Sequence, residues 1–264
     1  MRSYATVMTD HPAWIPASGS SLTRALASPN GGHALVRTEG IGAEWCCQQA
    51  AAREPDVFTI PASVAPELSG ALASLGPVAR FANQSLWDAI VTAIIRQVVR
   101  AAQARVQYRA LCAAHGTEVR CGSLVGWLVP SPEAVLCLGD AQFTALGLAF
   151  KRQALRAAAI AFIAAGSEWV SMPAKDLAVA LPSVRRIGTW TAGAAAADWS
   201  NDFIVYPYGD LAVRTWAARA APAAGWPGDE PGFRARWERV TGAHLAAVTL
   251  LTLAWGDHHA RTVA

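Results

Sequence analysis

Asp210, in the stretch Tyr206-Pro-Tyr-Gly-Asp-Leu-Ala-Val213, stands eighteen residues beyond Ala192, the last residue of Leu181-Pro-Ser-Val-Arg-Arg-Ile-Gly-Thr-Trp-Thr-Ala192. A carboxylate with an ordinary pKa of about 3.9 is ionised at neutral pH. Held near a carbon that is becoming positive, it stabilises that charge and can orient or deprotonate an attacking water. Asp is also a good helix N-cap, here for a helix opening at Leu211, and a residue at a helix start can do both when it faces a cleft. The preceding stretch reads as a tight turn at Ile187-Gly188 between two helices. Such a turn exposes consecutive backbone N–H groups, and the positive N-terminal end of the second helix completes a nest for phosphate. Gly188 permits close backbone approach, Ile187 anchors the turn, Thr189 and Thr191 are placed to cap or to touch phosphate, and Arg185 and Arg186 offer planar forks to it. An ordinary packing corner between two helices is the alternative reading.

The elements that must position these residues are mainly helical. From Leu86 apolar residues recur at three and four positions (Leu86, Ile90, Ile94, Val98; Val91, Ile95), which predicts one long helix continuing toward Tyr108, capped by Asn83 or Ser85. Ser131 and Pro132 open a short helix, Lys151 to Ala165 forms an Ala-rich helix ended by Gly166, and another begins at Pro173. Asp176 to Leu181 leads into the turn and Thr189 to Trp199 follows it. Helices over Asp210 to Ala220, Gly232 to Val240 and Ala243 to Ala254 close the chain. The first 75 residues differ: β-like pieces (Ala34–Arg37, Asp56–Ile60) and breakers such as Pro29-Asn-Gly-Gly32 predict a small α+β unit at 1–75 ahead of a helical domain at 76–264.

Composition bounds the rest. With 264 residues, 53% of them hydrophobic, the chain can fill a large core, and no uninterrupted apolar run is long enough for a membrane span. The first ten residues lack the apolar stretch of a signal peptide, so a cytoplasmic, nucleoid-associated protein is expected. Five cysteines without a Cys-x-x-Cys pair argue against a disulfide framework, and neither they nor the six histidines have metal-ligand spacing. The net charge of +3 is unevenly spread, −2 over residues 1–75 and +5 thereafter, so the basic part coincides with the turn and Asp210.

Four segments in order, over roughly residues 77 to 256, resemble the 3-methyladenine DNA glycosylase II branch of the helix-hairpin-helix DNA glycosylases. They are Leu86-Trp-Asp-Ala-Ile-Val-Thr-Ala-Ile-Ile-Arg-Gln-Val-Val99; Pro130-Ser-Pro-Glu133 with Leu146-Gly-Leu-Ala-Phe-Lys-Arg152; the hairpin through Ile187-Gly-Thr-Trp-Thr-Ala192; and Val205 to Arg214. The resemblance implies two helical subdomains around a cleft, a small N-terminal α+β unit, and Asp210 as the catalytic carboxylate. It implies that Trp190 stacks on an extruded base, that Val98 beside Gln97 fills the vacated space, and that Tyr208, Tyr206 and Trp87 line the pocket, with Tyr208 foremost. Aromatics that similar proteins carry after the hairpin are replaced here by Gly193-Ala-Ala-Ala-Ala197, which implies an open pocket. Where the family has a second hairpin glycine this chain has Arg186, which must avoid a positive φ or accept strain. Relatives that also nick the backbone place a lysine where Trp190 stands, and the two lysines here, Lys151 and Lys175, lie elsewhere. The implied protein is a monomeric, monofunctional hydrolase that removes an alkylated or otherwise modified purine from double-stranded DNA. It would need no cofactor and no divalent metal, with a monovalent cation on the hairpin carbonyls as in similar proteins. Two other readings stay open: a specialised glycosylase for a bulky adduct or free modified nucleoside, and a catalytically inactive DNA-binding protein.

Overall fold

A computed structural model of the chain describes residues 2–262 other than 4, 5, 29, 30, 40, 41, 50, 51 and 65, with the side chains of 6–260. Ten short strands are defined among these residues: β1 (Arg2–Ser3), β2 (Thr6–Val7), β3 (Ile15–Pro16), β4 (Leu22–Ala27), β5 (His33–Glu39), β6 (Gly42–Gln48), β7 (Asp56–Phe58), β8 (Val78–Arg80), β9 (Thr117–Cys121) and β10 (Leu124–Leu128). The helices are α1 (Pro66–Ala73), α2 (Leu86–Arg96), α3 (Ala101–His115), α4 (Pro132–Cys137), α5 (Asp140–Ala145), α6 (Arg152–Trp169), α7 (Ala174–Ala180), α8 (Thr189–Ser200), α9 (Leu211–Ala220), α10 (Glu230–Thr241) and α11 (Leu245–Thr262). None is long and apolar enough to cross a membrane among the described residues.

The antiparallel sheet β1-β6-β5-β4-β3 occupies the N-terminal part. Its β4–β5 turn falls on the anticipated breaker. Gly31 and Gly32 take positive φ there, while Pro29 and Asn30 lie outside the described residues. A second sheet, β2-β8-β7, pairs β2 with β8 in parallel, and α1 packs with α9 and α11 rather than with the first sheet. The β9–β10 hairpin interrupts the helices and was not legible in the sequence. It turns at Gly122 (φ 57°) and docks on β4, where a Cβ on Gly126 would come within 2.9 Å of Ala25.

Two helical clusters form the rest. One gathers α2, α3, α4, α6, α7 and α8 around Ile90, Ile94, Leu111, Leu155 and Leu177; the other gathers α1, α9, α10 and α11 around Phe203, Val213, Phe233, Trp237 and Leu251. The expected helix from Leu86 to Tyr108 is in fact two. Ser85 caps α2 by accepting from Asp88 N–H at 3.2 Å, as anticipated, but the chain leaves the helix at Gln97, and Val98 takes φ 58° before α3 begins. Gly166, read as a helix end, lies inside α6 against the Phe162 ring.

A buried polar network joins the N-terminal segment to these helices. Arg80 donates to Asp198 at 2.6 Å and also to Asn201; Asn83 donates to Asp198 at 3.0 Å; His11 meets Thr92 at 3.0 Å; and Tyr108 donates to Asp88 at 2.8 Å. Burial pushes the Asp88 carboxyl up from 3.8 to about 6, against the pull of Arg24 and the Tyr108 hydroxyl. A raised folded-state pKa means that its contribution to stability is full below about 3.8 and is lost as pH rises through about 6. Asp88→Asn avoids that ionisation. The unfolding free energy of the variant minus that of the native chain is therefore expected to become more positive between pH 4 and pH 7 in denaturant titrations, and a difference flat with pH would refute the assignment.

Candidate active site

The hairpin is built from α7, a 3-10 turn at Leu181–Ser183, and α8. Val184 and Ile187 are buried, and the Ile187 N–H donates to the Val184 carbonyl at 3.0 Å, which fixes the turn to the core. Arg186 takes φ 70°, so this chain accepts the left-handed strain that a glycine would avoid. Its compensation comes from α2: the Gln97 side-chain amide donates to the Arg186 carbonyl at 3.2 Å and to Thr191 Oγ1 at 2.8 Å. Gln97, expected to touch DNA, is thus a strut between the end of α2 and the hairpin. Thr191 is buried under it and does not face solvent.

Gly188 is the N-cap of α8 and offers no side chain to its first N–H groups, which leaves them free for an anion. A Cβ added at Gly188 would meet nothing within 4 Å, so the space over the turn is open. Thr189 is exposed beside it. Arg185 and Arg186 are exposed as well, and neither guanidinium has a hydrogen bond or ion pair among the described residues.

Asp210 precedes α9 and caps it, its Oδ2 accepting from Ala212 N–H at 3.3 Å. It is half-buried, and its other oxygen accepts from the Trp190 indole N–H at 3.0 Å. The Tyr206 hydroxyl lies 3.5 Å from Oδ2. The helix start after the hairpin and the helix start after residues 201–210 are therefore joined through one carboxylate. Gly193 makes this approach possible: a Cβ there would sit 2.4 Å from the Val205 carbonyl oxygen. Ala192, Ala195, Ala196 and Ala197 are fully buried, the first three in the cluster around α2 and Ala197 in the one that holds Phe203, so they fill the core and line no open pocket, contrary to the expectation.

The remaining anticipated residues separate. Tyr206 stacks on Phe203 at 5.4 Å and keeps its hydroxyl at Asp210; burial and the Asp210 charge push its pKa up. Tyr208, expected foremost, turns away: its hydroxyl donates to Glu238 and Arg234 covers its ring at 5.2 Å. Trp87 is a core residue whose indole donates to the Pro130 carbonyl at 2.8 Å, and it reaches no part of this cluster. Val98 is fully exposed despite its strained φ, next to the hairpin strut. Sequence reasoning missed Phe150, which is 97% exposed. The ammonium of the following Lys151, whose pKa burial lowers, donates to the Gln97 carbonyl, which ties the segment carrying Phe150 to the one carrying Val98. The available signal was an aromatic standing alone between a glycine turn and an Ala-rich helix. Among the described residues no group of three or more His, Cys, Asp or Glu is arranged to hold a metal.

No protein-family model matches the sequence, and no curated protein matches it. Solved structures do. The 8-oxoguanine glycosylase/lyase of Clostridium acetobutylicum, in complex with double-stranded DNA, superposes with a TM-score of 0.68 at 10% identity, covering 96% of this chain and 90% of that one. The fold is that of the helix-hairpin-helix DNA glycosylases. The 3-methyladenine DNA glycosylase of Archaeoglobus fulgidus gives 0.66 at 19% identity over 94% and 90% of the two chains. That of Schizosaccharomyces pombe, in complex with abasic DNA, gives 0.52 at 17% identity over 64% and 79%. The expected architecture of helical subdomains with a small sheet-bearing region therefore stands, and within it the Trp190 indole ties the hairpin to Asp210.

Proposed function

We propose that the protein is a monofunctional DNA glycosylase that hydrolyses the N-glycosidic bond of a modified purine in duplex DNA and leaves an abasic site. The carrying observation is the half-buried Asp210 carboxylate, fixed by the Trp190 N–H at the start of a helix whose hairpin turn is open and uncapped. That the chain shares its fold with enzymes described as acting on 8-oxoguanine and 3-methyladenine supports the reaction class.

The chemistry follows from the residues. The free N–H groups at the start of α8 and the unpaired Arg185 and Arg186 would grip a backbone phosphate. Extruding a nucleotide costs a few kcal/mol of stacking and pairing, which an apolar side chain inserted in its place offsets in part. Val98 and Phe150 are exposed apolar side chains on the two segments that the Lys151–Gln97 hydrogen bond joins. As the base departs the sugar gains oxocarbenium character, and the Asp210 charge stabilises it and aligns the attacking water. The hydrolysis needs only that carboxylate and water; a monovalent cation would serve docking at the hairpin. The hairpin presents the Trp190 indole and no amine, and the Lys151 ammonium is occupied by the Gln97 carbonyl, so borohydride is expected to trap no covalent adduct with DNA.

The testing experiment is incubation with duplexes carrying alkylated, oxidised or deaminated purines, scoring free base and alkali-labile sites. Free base from duplex, with affinity that falls steeply as salt rises, is the expected result. Release from free nucleosides with little salt dependence would favour a nucleoside hydrolase, and binding without any release an inactive DNA-binding protein.

Val98 supplies a separate check. A β-branched residue in the left-handed region costs on the order of 1–3 kcal/mol, so Val98→Gly is expected to leave the melting temperature unchanged or raise it. The same change removes the space-filling group, and base release should fall about tenfold. Loss of stability and activity together would mean that Val98 is merely structural.

A further inference from the structure

Asp10, in the N-terminal segment, and Arg96 form a charged pair that connects to the site through Arg80. Arg96, the last residue of α2, donates through Nη2 to the Asp10 carbonyl at 3.1 Å, and its Nη1 stands 3.8 Å from the Asp10 carboxylate. Arg80 Nε stands 3.8 Å from the other Asp10 oxygen. Neither distance is a hydrogen bond. The Asp10 carboxylate accepts none among the described residues, and Arg80 Nε, in a side chain only 3% exposed, is a buried N–H without a partner. Burial would raise the Asp10 pKa, but Arg80 and Arg96 hold it below the usual range, so the group is ionised.

A relay of contacts links this pair to Asp210. Arg80 covers the Phe203 ring at 5.1 Å, Phe203 stacks on Tyr206, and Tyr206 reaches Asp210. Arg96 and Asp10 both act as charges on the Tyr206 phenol. Both side chains remain partly accessible, Arg96 at 30% and Asp10 at 20%.

The geometry points to Asp10 and Arg96 as the specificity-determining wall of the base pocket, reading a base edge that carries an N–H donor beside a carbonyl acceptor. This rests on the glycosylase reading above. An acceptor-only carboxylate next to a donor-only guanidinium complements the adjacent N–H and C=O of a lactam edge, such as those of deaminated or oxidised purines. A cationic methylated base gains less, because the Arg96 and Arg80 charges oppose the attraction of Asp10. A site built to hydrogen-bond a polar edge also rejects an analogue lacking it, since its own groups are then left unpaired.

The test is competitive binding to the full chain of matched duplexes containing one 2′-fluoro nucleoside that resists hydrolysis. Its base is hypoxanthine, 8-oxoguanine or, as control, unsubstituted purine. At least one lactam-bearing base should be preferred over purine by about tenfold or more, the size expected for a hydrogen bond to a charged group. The preference should shrink toward unity in Asp10→Ala and Arg96→Gln. Two variants are needed because Asp10 also faces buried Arg80, and thermal melting identifies either one if it fails to fold. No preference in the native chain, or a preference kept in a folded variant, overturns the proposal. Hydrolysable versions of the same duplexes separate the two readings: preference without base release would refute the glycosylase and leave the wall standing.

Discussion

Asp210→Asn is expected to reduce single-turnover base release by about a thousandfold or more, on the order of 4 kcal/mol of transition-state stabilisation, while duplex affinity changes by less than about threefold. The substitution is close to isosteric. An Asn oxygen can still accept from the Trp190 indole or from Ala212 N–H, so the cap of α9 and the tie to α8 are largely retained. What disappears is the negative charge, and no other described carboxylate touches Trp190 or Tyr206. Rapid-quench measurement of base release beside fluorescence anisotropy on the same duplex checks both halves. Equal release by the two proteins would remove Asp210 from the mechanism, and equal losses of binding and turnover would reduce it to a cap.

The second large effect is expected at a residue without a functional group. In an exposed helix Gly→Ala stabilises by about 1 kcal/mol, so propensity alone favours Gly193→Ala. Here the new methyl would meet the Val205 carbonyl oxygen at 2.4 Å and Pro207 at 3.3 Å, and the first contact is with backbone that cannot swing aside. Relieving it requires α8 and residues 205–210 to part by about 1 Å, a displacement that overpacking resists at about 1–3 kcal/mol. That shift separates Trp190 from Asp210, and misplacement of about 1 Å costs on the order of a hundredfold in rate. A melting temperature lowered by about 2–10 °C, with base release down about a hundredfold, is the expected outcome. A fully active Gly193→Ala would show that the approach of the two segments does not set the geometry of Asp210.

The helical pattern, the hairpin and the cap at Asp210 were legible because each is local: the apolar spacing of α2, the Ser131-Pro132 start and the Ile187-Gly188 turn are written within a few residues. Even there the limit was tertiary. The apolar period ran on through Val98, yet α2 stops, since the Gln97 carbonyl and amide are taken by Lys151 on one side and by the hairpin on the other. The β9–β10 hairpin escaped because five-residue strands carry little periodicity of their own and depend on the face of β4 and β5 that they cover.

Within the site, sequence determined which residues could carry charge, donate to phosphate or fill a gap, because those are properties of side chains. The three-dimensional packing decided which of them meet. Tyr206 faces Asp210 while Tyr208, two residues on, pairs with Glu238; Trp87 goes to the core; and Asp10, 200 positions before Asp210 in the chain, is linked to Tyr206 through Arg80 and Phe203. Hydrogen bonds and charge interactions fall off within a few ångströms, and a folded chain sets such distances independently of separation along its sequence.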